Sequence, residues 1–484
     1  MFGVLTFLSL TLINPFGAFR GDIWTEPKKW ALILWATATW IYLLPLLLRA
    51  HSRVRPLFPF LLGFSAFLAA GAYAALRSPF PFRAWFGQST MGDGLAYWVT
   101  VGALALGTAL LLYFRPGLFR SQLYGVLAAG ALQALSVLPQ ALWDWRLDYT
   151  TTLGQTYPGG DPLLSTIWSG QMPIGLTSHR GHVAAILALV GVLAAAVYLR
   201  RKQKLALVLL ALLTFALWLT YTRGAYLALF GGLIALYPWH RDKRAWIGIL
   251  STLLASYGTF LLVRSLDLTT VDRSMPSLHL EDPDTFSSGR LRLWNLSLQA
   301  IARNPWGYGF DGFGLAFPFV ADFSGKERRY LQADAPPPAK VVEIEDYGFR
   351  YRDPEGEEHW GALASNKAHN LLLDLLLSVG PLGTVGYLAA FLTLLWLAAR
   401  GSEPGLTALG VAYLVYGLTW FECAQFSHLP WWALAAGAGL FLRKSAEASG
   451  GAEPPLRAQG GPPHPGRPDP LLTGGSPEGG PPDP

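Results

Sequence analysis

The sequence predicts an all-α integral membrane protein of about 12 transmembrane helices, with one large polar loop that carries short helices. Three observations predict it. The chain of 484 residues is 52% hydrophobic and only 14% charged, with a mean hydropathy of +0.32, too little polar surface for a soluble protein. Apolar runs of roughly twenty residues recur along it, the length at which a helix crosses the hydrocarbon core of a bilayer. The basic residues gather in short connections between these runs and draw no binding face. That placement follows the positive-inside rule and excludes a nucleic-acid partner despite the formal charge of +6.

Taken in order, residues 2–16 form a short first span, expected to be retained because no signal-peptide cleavage pattern accompanies it. The second span, 29–48, ends at Arg49, Arg53 and Arg55, and the third runs over 56–76. A loop with Arg77, Pro79, Pro81 and Asp93 leads to the fourth, 94–114; RPGLFR then leads to the fifth, 121–142. Residues 143–179 are rich in Gly and Pro pairs, which argue against continuous helix. Spans six to nine follow at 182–198, 204–220, 224–238 and 245–263. After the loop 264–368 comes an apolar stretch led by His369 and Asn370. It is too short to cross and is interrupted at Gly380–Pro381, so it is expected as a re-entrant helix. Spans ten to twelve are 381–399, 405–420 and 430–442. The Pro/Gly-rich tail, 444–484, has too little apolar content to fold and is expected to be disordered.

The organisation is therefore 1–263 with nine spans, the loop 264–368, the unit 369–443 with the re-entrant helix and three spans, and the tail. Twelve spans put both termini on one side. The connections that carry Arg49, Arg115, Arg120, Arg200, Arg201, Lys243 and Arg443 outweigh the opposite ones in positive charge, which makes that side cytoplasmic. The large loop and Arg223 then lie outside, on the periplasmic or extracellular face.

Candidate functional residues concentrate on that face. Arg223 in YTRGAYLAL is followed by Gly224, which lets another element or a ligand approach the backbone. Its guanidinium fork suits a phosphate, although an arginine there also suits simple snorkelling to headgroups. Arg290 and Arg292 open a segment in which Trp294, Leu298 and Ile301 recur at helical spacing, with Ser287 and Ser288 as candidate caps. A helix start bearing two arginines favours anions. The run NPWGYGFDGFG sets Gly307, Gly309, Gly312 and Gly314 among Trp306, Tyr308, Phe310 and Phe313. It lacks the preceding strand and βαβ context of a dinucleotide loop. Its aromatics either line a sugar or polyprenyl passage or pack the loop onto the membrane. His369 is the side chain whose pKa allows it to take a proton from a hydroxyl near neutral pH. Asp374 lies about 140° further around a helix, so no direct pair with His369 is expected. His179, Arg180 and His182 form a second cluster at the outer end of the sixth span. No HExxH or carboxylate-rich spacing accompanies these histidines, so no metal is expected. Cys423 is the one cysteine, which excludes an intramolecular disulfide and a cysteine-rich metal site.

TRG at 222–224, SGR with Trp294, the NPWGYGFDGFG run and HNLLLDLLLSVGPLG at 369–383 together resemble the O-antigen ligase / O-antigen polymerase superfamily. So does the twelve-span layout with a large outer loop before the tenth span. The likeness covers about residues 1–443, with the specific motifs within 175–385. It implies a GT-C-like fold and a glycosyltransferase of the bacterial inner membrane that uses no cofactor. A glycan on undecaprenyl pyrophosphate would pass, with inversion and without metal, to an acceptor hydroxyl of lipid A–core or another cell-surface acceptor. Arg223 and Arg290 match the arginines that engage the donor pyrophosphate, with Arg292 as an alternative, and His369 matches the candidate base. Arg180, His182, Asn370, Tyr308 and Trp306 complete the expected substrate-binding set. The expected partners are the donor, a glycan, lipid or protein acceptor and membrane lipids, bound by a monomer.

The same likeness admits a polysaccharide polymerase or a protein O-oligosaccharyltransferase, which differ in acceptor. The acidic second half of the loop (Glu343, Glu345, Asp346, Asp353, Glu355, Glu357, Glu358) is expected to cover the site or select that acceptor. A lipid-linked oligosaccharide transporter is the alternative of a different class. Nearly charge-free mid-spans and the lack of an internal repeat speak against it.

Overall fold

The computed structural model describes residues 1–17, 21–48, 55–143, 149–150, 156–157, 172–269, 289–320, 340–345, 348–362 and 366–449. Every expected span meets a helix. These are α1 (Phe2–Thr11), α2 (Glu26–Leu47), α3 (Phe58–Leu76), α5 (Leu95–Phe114), α6 (Phe119–Trp143), α7 (Arg180–Arg201), α8 (Lys204–Leu219), α9 (Arg223–Leu236), α10 (Lys243–Ser265), α13 (Leu371–Ala399), α14 (Pro404–Gly417) and α15 (His428–Ala448). Three short helices lie outside that set: α4 (Pro81–Phe86), α11 (Arg290–Arg303) and α12 (Gly312–Val320). Seven of the described helices are long and apolar enough to cross a membrane: α2, α3, α5, α6, α7, α10 and α13. The protein is a largely helical, multi-pass membrane protein.

Helix burial follows sequence texture. α7 and α15 are apolar on every side and rich in Ala and Gly, and both run through the centre of the bundle. On α10 and α9 the large side chains Leu254, Leu261, Leu227 and Ile234 face outward, as a lipid-facing surface requires. α13 packs along α3 so closely that a Cβ on Gly63 would stand 2.8 Å from the Gly386 carbonyl oxygen. Small residues permit this backbone-to-backbone packing, which replaces the hydrophobic drive that lipid cannot supply.

One expectation needs correction: the fold is not all-α. Besides a short pair formed by β1 (Tyr149–Thr150) and β2 (Thr156–Tyr157), the structure holds a three-stranded antiparallel sheet of β3 (Lys340–Ile344), β4 (Gly348–Arg352) and β5 (Glu358–Ala362). Ile344, Phe349 and Tyr351 are buried beneath it. The outer face interleaves charges. Arg350 pairs with Glu343, with Glu345 at 3.3 Å and with Glu358 at 3.5 Å, while Arg352 reaches Glu358 at 2.6 Å. The two arginines of the middle strand thus pair with three of the seven acidic residues, Glu343, Glu345 and Glu358. The stretch after His369 forms its own helical segment, 371–379, parted from the following span by a break at Gly380 (φ 66°, ψ −177°), as the Gly380–Pro381 interruption predicts; α13 denotes the two segments together. Ser287, Ser288, Asp346 and the tail from residue 450 lie outside the described residues.

Candidate functional site

Three of the sequence-selected arginines open helices. Arg180 is the first residue of α7, Arg223 of α9 and Arg290 of α11, and His369 lies two residues before α13. α8 returns the chain between α7 and α9, so both of those helices begin at the same end. α14 is the wall they share, since it packs on both α7 and α9 and also against α13. The Tyr416 hydroxyl donates to the Gly181 carbonyl at 2.7 Å. Glycine is required at these contacts: a Cβ on Gly181 would sit 2.0 Å from the Trp420 ring, and one on Gly224 2.3 Å from Thr419 Oγ1. The Gly after Arg223 therefore serves the close approach of a helix.

The cations meet around Tyr416. Arg290 lies in the field of Tyr416, Arg223 and Arg180, and Tyr416 in turn in that of Arg290 and Arg180. Burial, reinforced by Arg223 and Arg180, holds the Arg290 guanidinium below its ordinary range. Its Nε is buried with no hydrogen-bond partner among the described residues, and so are Nε1 of Trp294, one turn further along α11, and Nε1 of Trp420. Crowded like charges and orphaned N–H donors are both relieved by one class of ligand, an oxygen-rich anion. The N-termini of α7, α9 and α11 add their positive dipole ends.

His369 stands edge-on to Trp420 and Phe421, at 5.2 and 4.9 Å between ring centroids. Its Nδ1 lies 3.1 Å from the Lys367 carbonyl oxygen. A carbonyl only accepts, so Nδ1 carries the proton and Nε2 keeps its lone pair. Burial, with the neighbouring Arg290, pushes the imidazole pKa down to about 4, so the ring is neutral at physiological pH. The residue sits at φ 56°, in the left-handed region, which costs a side-chain-bearing residue about 1–2 kcal/mol. Neighbouring contacts must hold it there.

The remaining sequence-selected residues divide. Arg292 is half-buried on α11, about 200° around the helix from Arg290. Trp306 is 64% exposed. Tyr308, Asn370 and His182 have structural partners. The Tyr308 hydroxyl donates to the Ala300 carbonyl at 3.0 Å. Asn370 Oδ1 caps α13, accepting from Leu372 and Leu373 N–H at 3.1 and 3.2 Å. His182 is fully buried behind Trp420, Phe421 and Phe426, 3.3 Å from Ser178 Oγ.

The glycine–aromatic run also resolves. Pro381 has no N–H, so the break at Gly380 leaves the Leu377 carbonyl without its helical donor. Tyr308 N–H fills it at 2.7 Å, and Gly309 N–H takes the Ser378 carbonyl at 3.0 Å. Gly307 (φ 91°) and Gly309 (φ 97°) allow the chain to lie against the broken helix. Phe310 plugs between α3 and α13, edge-on to Phe67 at 5.5 Å, and Phe313 is buried. Tyr308, Phe310 and Phe313 thus pack the loop onto the helices, and only Trp306 of the four aromatics stands open.

Tyr416, Trp420 and Phe421 were not singled out from the sequence. The aromatic density of YGLTWFECAQF between two spans was a signal, but only the fold turns it toward His369. The clefts at the other end of the bundle, one beside Arg115 and Arg443 and one beside Arg200 and Glu403, are remote from this cluster.

Residues 207–388 match the family model described as O-antigen ligase, less than half of the chain. The matched segment contains Arg223, Arg290, Arg292, Trp306, Tyr308, His369 and Asn370, and leaves Arg180 and His182 outside. No curated protein matches the chain.

Proposed function

We propose that the chain is a glycosyltransferase that moves a glycan from a polyprenyl pyrophosphate to an acceptor hydroxyl at the periplasmic face of the inner membrane. The observation that carries the reading is the gathering of Arg180, Arg223 and Arg290 around Tyr416, with His369 beside Arg290. The match to the O-antigen ligase family supports the same reaction class. The twelve helices cross the membrane with both termini cytoplasmic, in a GT-C-like arrangement.

In this reading the arginines neutralise the donor pyrophosphate, which makes it a competent leaving group. The acceptor oxygen attacks the anomeric carbon, the carbon–oxygen bond to pyrophosphate breaks with its electron pair going to the phosphate, and the acceptor proton passes to His369 Nε2. A single displacement inverts the anomeric centre, and the arginines provide the charge stabilisation without requiring a metal. Anion binding offsets the Arg290 charge and raises the basicity of His369 where a base is needed. Glycan binding is assigned to Arg292 and the exposed Trp306. The acceptor is lipid A–core or another surface glycoconjugate; a second lipid-linked glycan or a protein hydroxyl would serve the same chemistry. A transporter is disfavoured because the charge gathers at helix ends and not at mid-span.

The test is to incubate purified protein with a defined undecaprenyl-pyrophosphate glycan and, separately, lipid A–core, a second lipid-linked glycan or a pilin-like protein. One acceptor should become glycosylated, and Arg223→Ala and His369→Ala should abolish the transfer. Transfer at wild-type rate in both variants, or none to any acceptor, overturns the proposal.

A further inference from the structure

Beneath His369 lies a set of buried charges that the transfer reaction does not itself use. Arg83 on α4, Asp93 before α5, Asp311 before α12, Lys367, and Asp374 in the first turn of α13 are all buried. They come from widely separated segments of the chain. Arg83 Nε meets Asp311 Oδ2 at 2.5 Å, and its guanidinium also donates to Asn366 Oδ1 at 3.2 Å. Lys367 Nζ bridges Asp93 Oδ2 at 2.6 Å and Asp311 Oδ1 at 3.0 Å. Burial alone would lower the Lys367 pKa, but Asp311, Asp93 and Asp374 overcome it and hold the ammonium above its usual range. Burying so much charge is costly, and a bundle of apolar helices does not need it for packing.

The network converges on three consecutive residues. The Lys367 side chain is held by two carboxylates while its carbonyl accepts from His369 Nδ1. Asp374 Oδ1 accepts from Ala368 N–H at 2.9 Å. His369 follows at φ 56°. The turn is thus pinned from the front by Lys367 and from behind by Asp374. Those two anchors hold the left-handed conformation and the carbonyl that selects the histidine tautomer. Asp374 Oδ2 has no hydrogen-bond partner among the described residues. Without Asp374, two cations still face two carboxylates. Its charge is therefore dispensable to the network, and its Oδ1 is what the turn uses.

We infer that Asp374 and Lys367 are positioning residues, which fix the turn 367–369 so that His369 presents an unprotonated Nε2 toward the arginine cluster. The inference rests on the proposed role of His369 as base. It adds that this role depends on an ion network reaching α4 and α5.

The experiment compares Asp374→Asn, which keeps an acceptor oxygen, with Asp374→Leu, which does not. Asp374→Asn should keep kcat within about threefold. Asp374→Leu should lower kcat roughly 10- to 100-fold, the cost of a displaced catalytic group, with KM for the lipid-linked donor unchanged. A second readout needs no turnover: nitrogen-15 spectra of the imidazoles, with His369 assigned by difference against His369→Gln. The Nδ1–H tautomer should dominate in wild type and Asp374→Asn and become mixed in Asp374→Leu. Lys367→Gln, read by the same spectra, replaces Asp374→Leu where that variant does not fold. Unchanged kcat and tautomer in the oxygen-lacking variant, or equal losses in Asp374→Asn and Asp374→Leu, overturns the inference. If wild-type protein transfers glycan to no acceptor while the tautomer still answers to Asp374, the function fails and the positioning stands.

Discussion

Burial first, and Arg290 second, push the His369 pKa from its ordinary 6.5 down to about 4. Removing Arg290 takes away only the second cause. Arg290→Ala should therefore raise the His369 pKa part of the way from about 4 toward 6.5, leaving it below 6.5. Inorganic pyrophosphate bound to wild type should act in the same direction, because two or more negative charges offset the guanidinium. In Arg290→Ala its effect should shrink, since the cluster has lost one of its anchors. The measurement is a pH titration of the His369 ring by NMR in detergent, with and without pyrophosphate, assigned against His369→Gln. In turnover, the acid limb of kcat/KM for wild type should lie near pH 4, giving a flat profile from about pH 5 upward, because the base acts only unprotonated. A wild-type His369 that titrates near 6.5, or one that ignores both Arg290→Ala and pyrophosphate, refutes the electrostatic picture of the site.

Other consequences follow from local geometry. Gly224→Ala places a methyl 2.3 Å from Thr419 Oγ1 and should cost transfer activity at least about tenfold by shifting Arg223; adding Thr419→Ala, which removes that oxygen, should restore most of it. Gly307→Val joins a φ of 91° to a Cβ only 2.7 Å from the Ser378 carbonyl oxygen, and should destabilise the fold by about 2–4 kcal/mol, read as a lowered aggregation temperature. His369 makes a contribution of definite sign to stability against pH. Between pH 6.5 and 4 the unfolded chain binds a proton that the folded chain refuses. Its contribution is thus whole above 6.5 and lost as the pH falls toward 4, so His369→Gln should flatten the acid side of the thermal-stability profile.

Residue order and hydropathy alone were enough to locate twelve helices, because a span of lipid-soluble side chains is a local property that needs no partner. The chemical candidates were legible for a similar reason: arginine and histidine are rare in so apolar a chain, and Arg223, Arg290 and His369 stand at the ends of apolar stretches where their helices begin. Residue spacing did not reveal what each glycine or aromatic was for. Gly307 and Gly309 were legible as glycines among aromatics, but not as the means by which the chain fills carbonyls freed at the Gly380–Pro381 break some seventy residues away. Tyr308 and Asn370 read as substrate contacts, yet Ala300 and the start of α13 occupy them. The sheet β3–β5 was hidden because the charges on its outer face, which pair across strands, look in one dimension like a solvated acidic run. Tyr416 and Trp420 lay unnoticed because an aromatic near a span is ordinary until another helix arrives. Pairings between distant segments are decided by packing and by the need to satisfy every buried polar group, and neither condition is written in local spacing. Sequence supplied the arginines and the histidine; the tertiary structure brought them together at one end of the bundle and set the turn that holds His369.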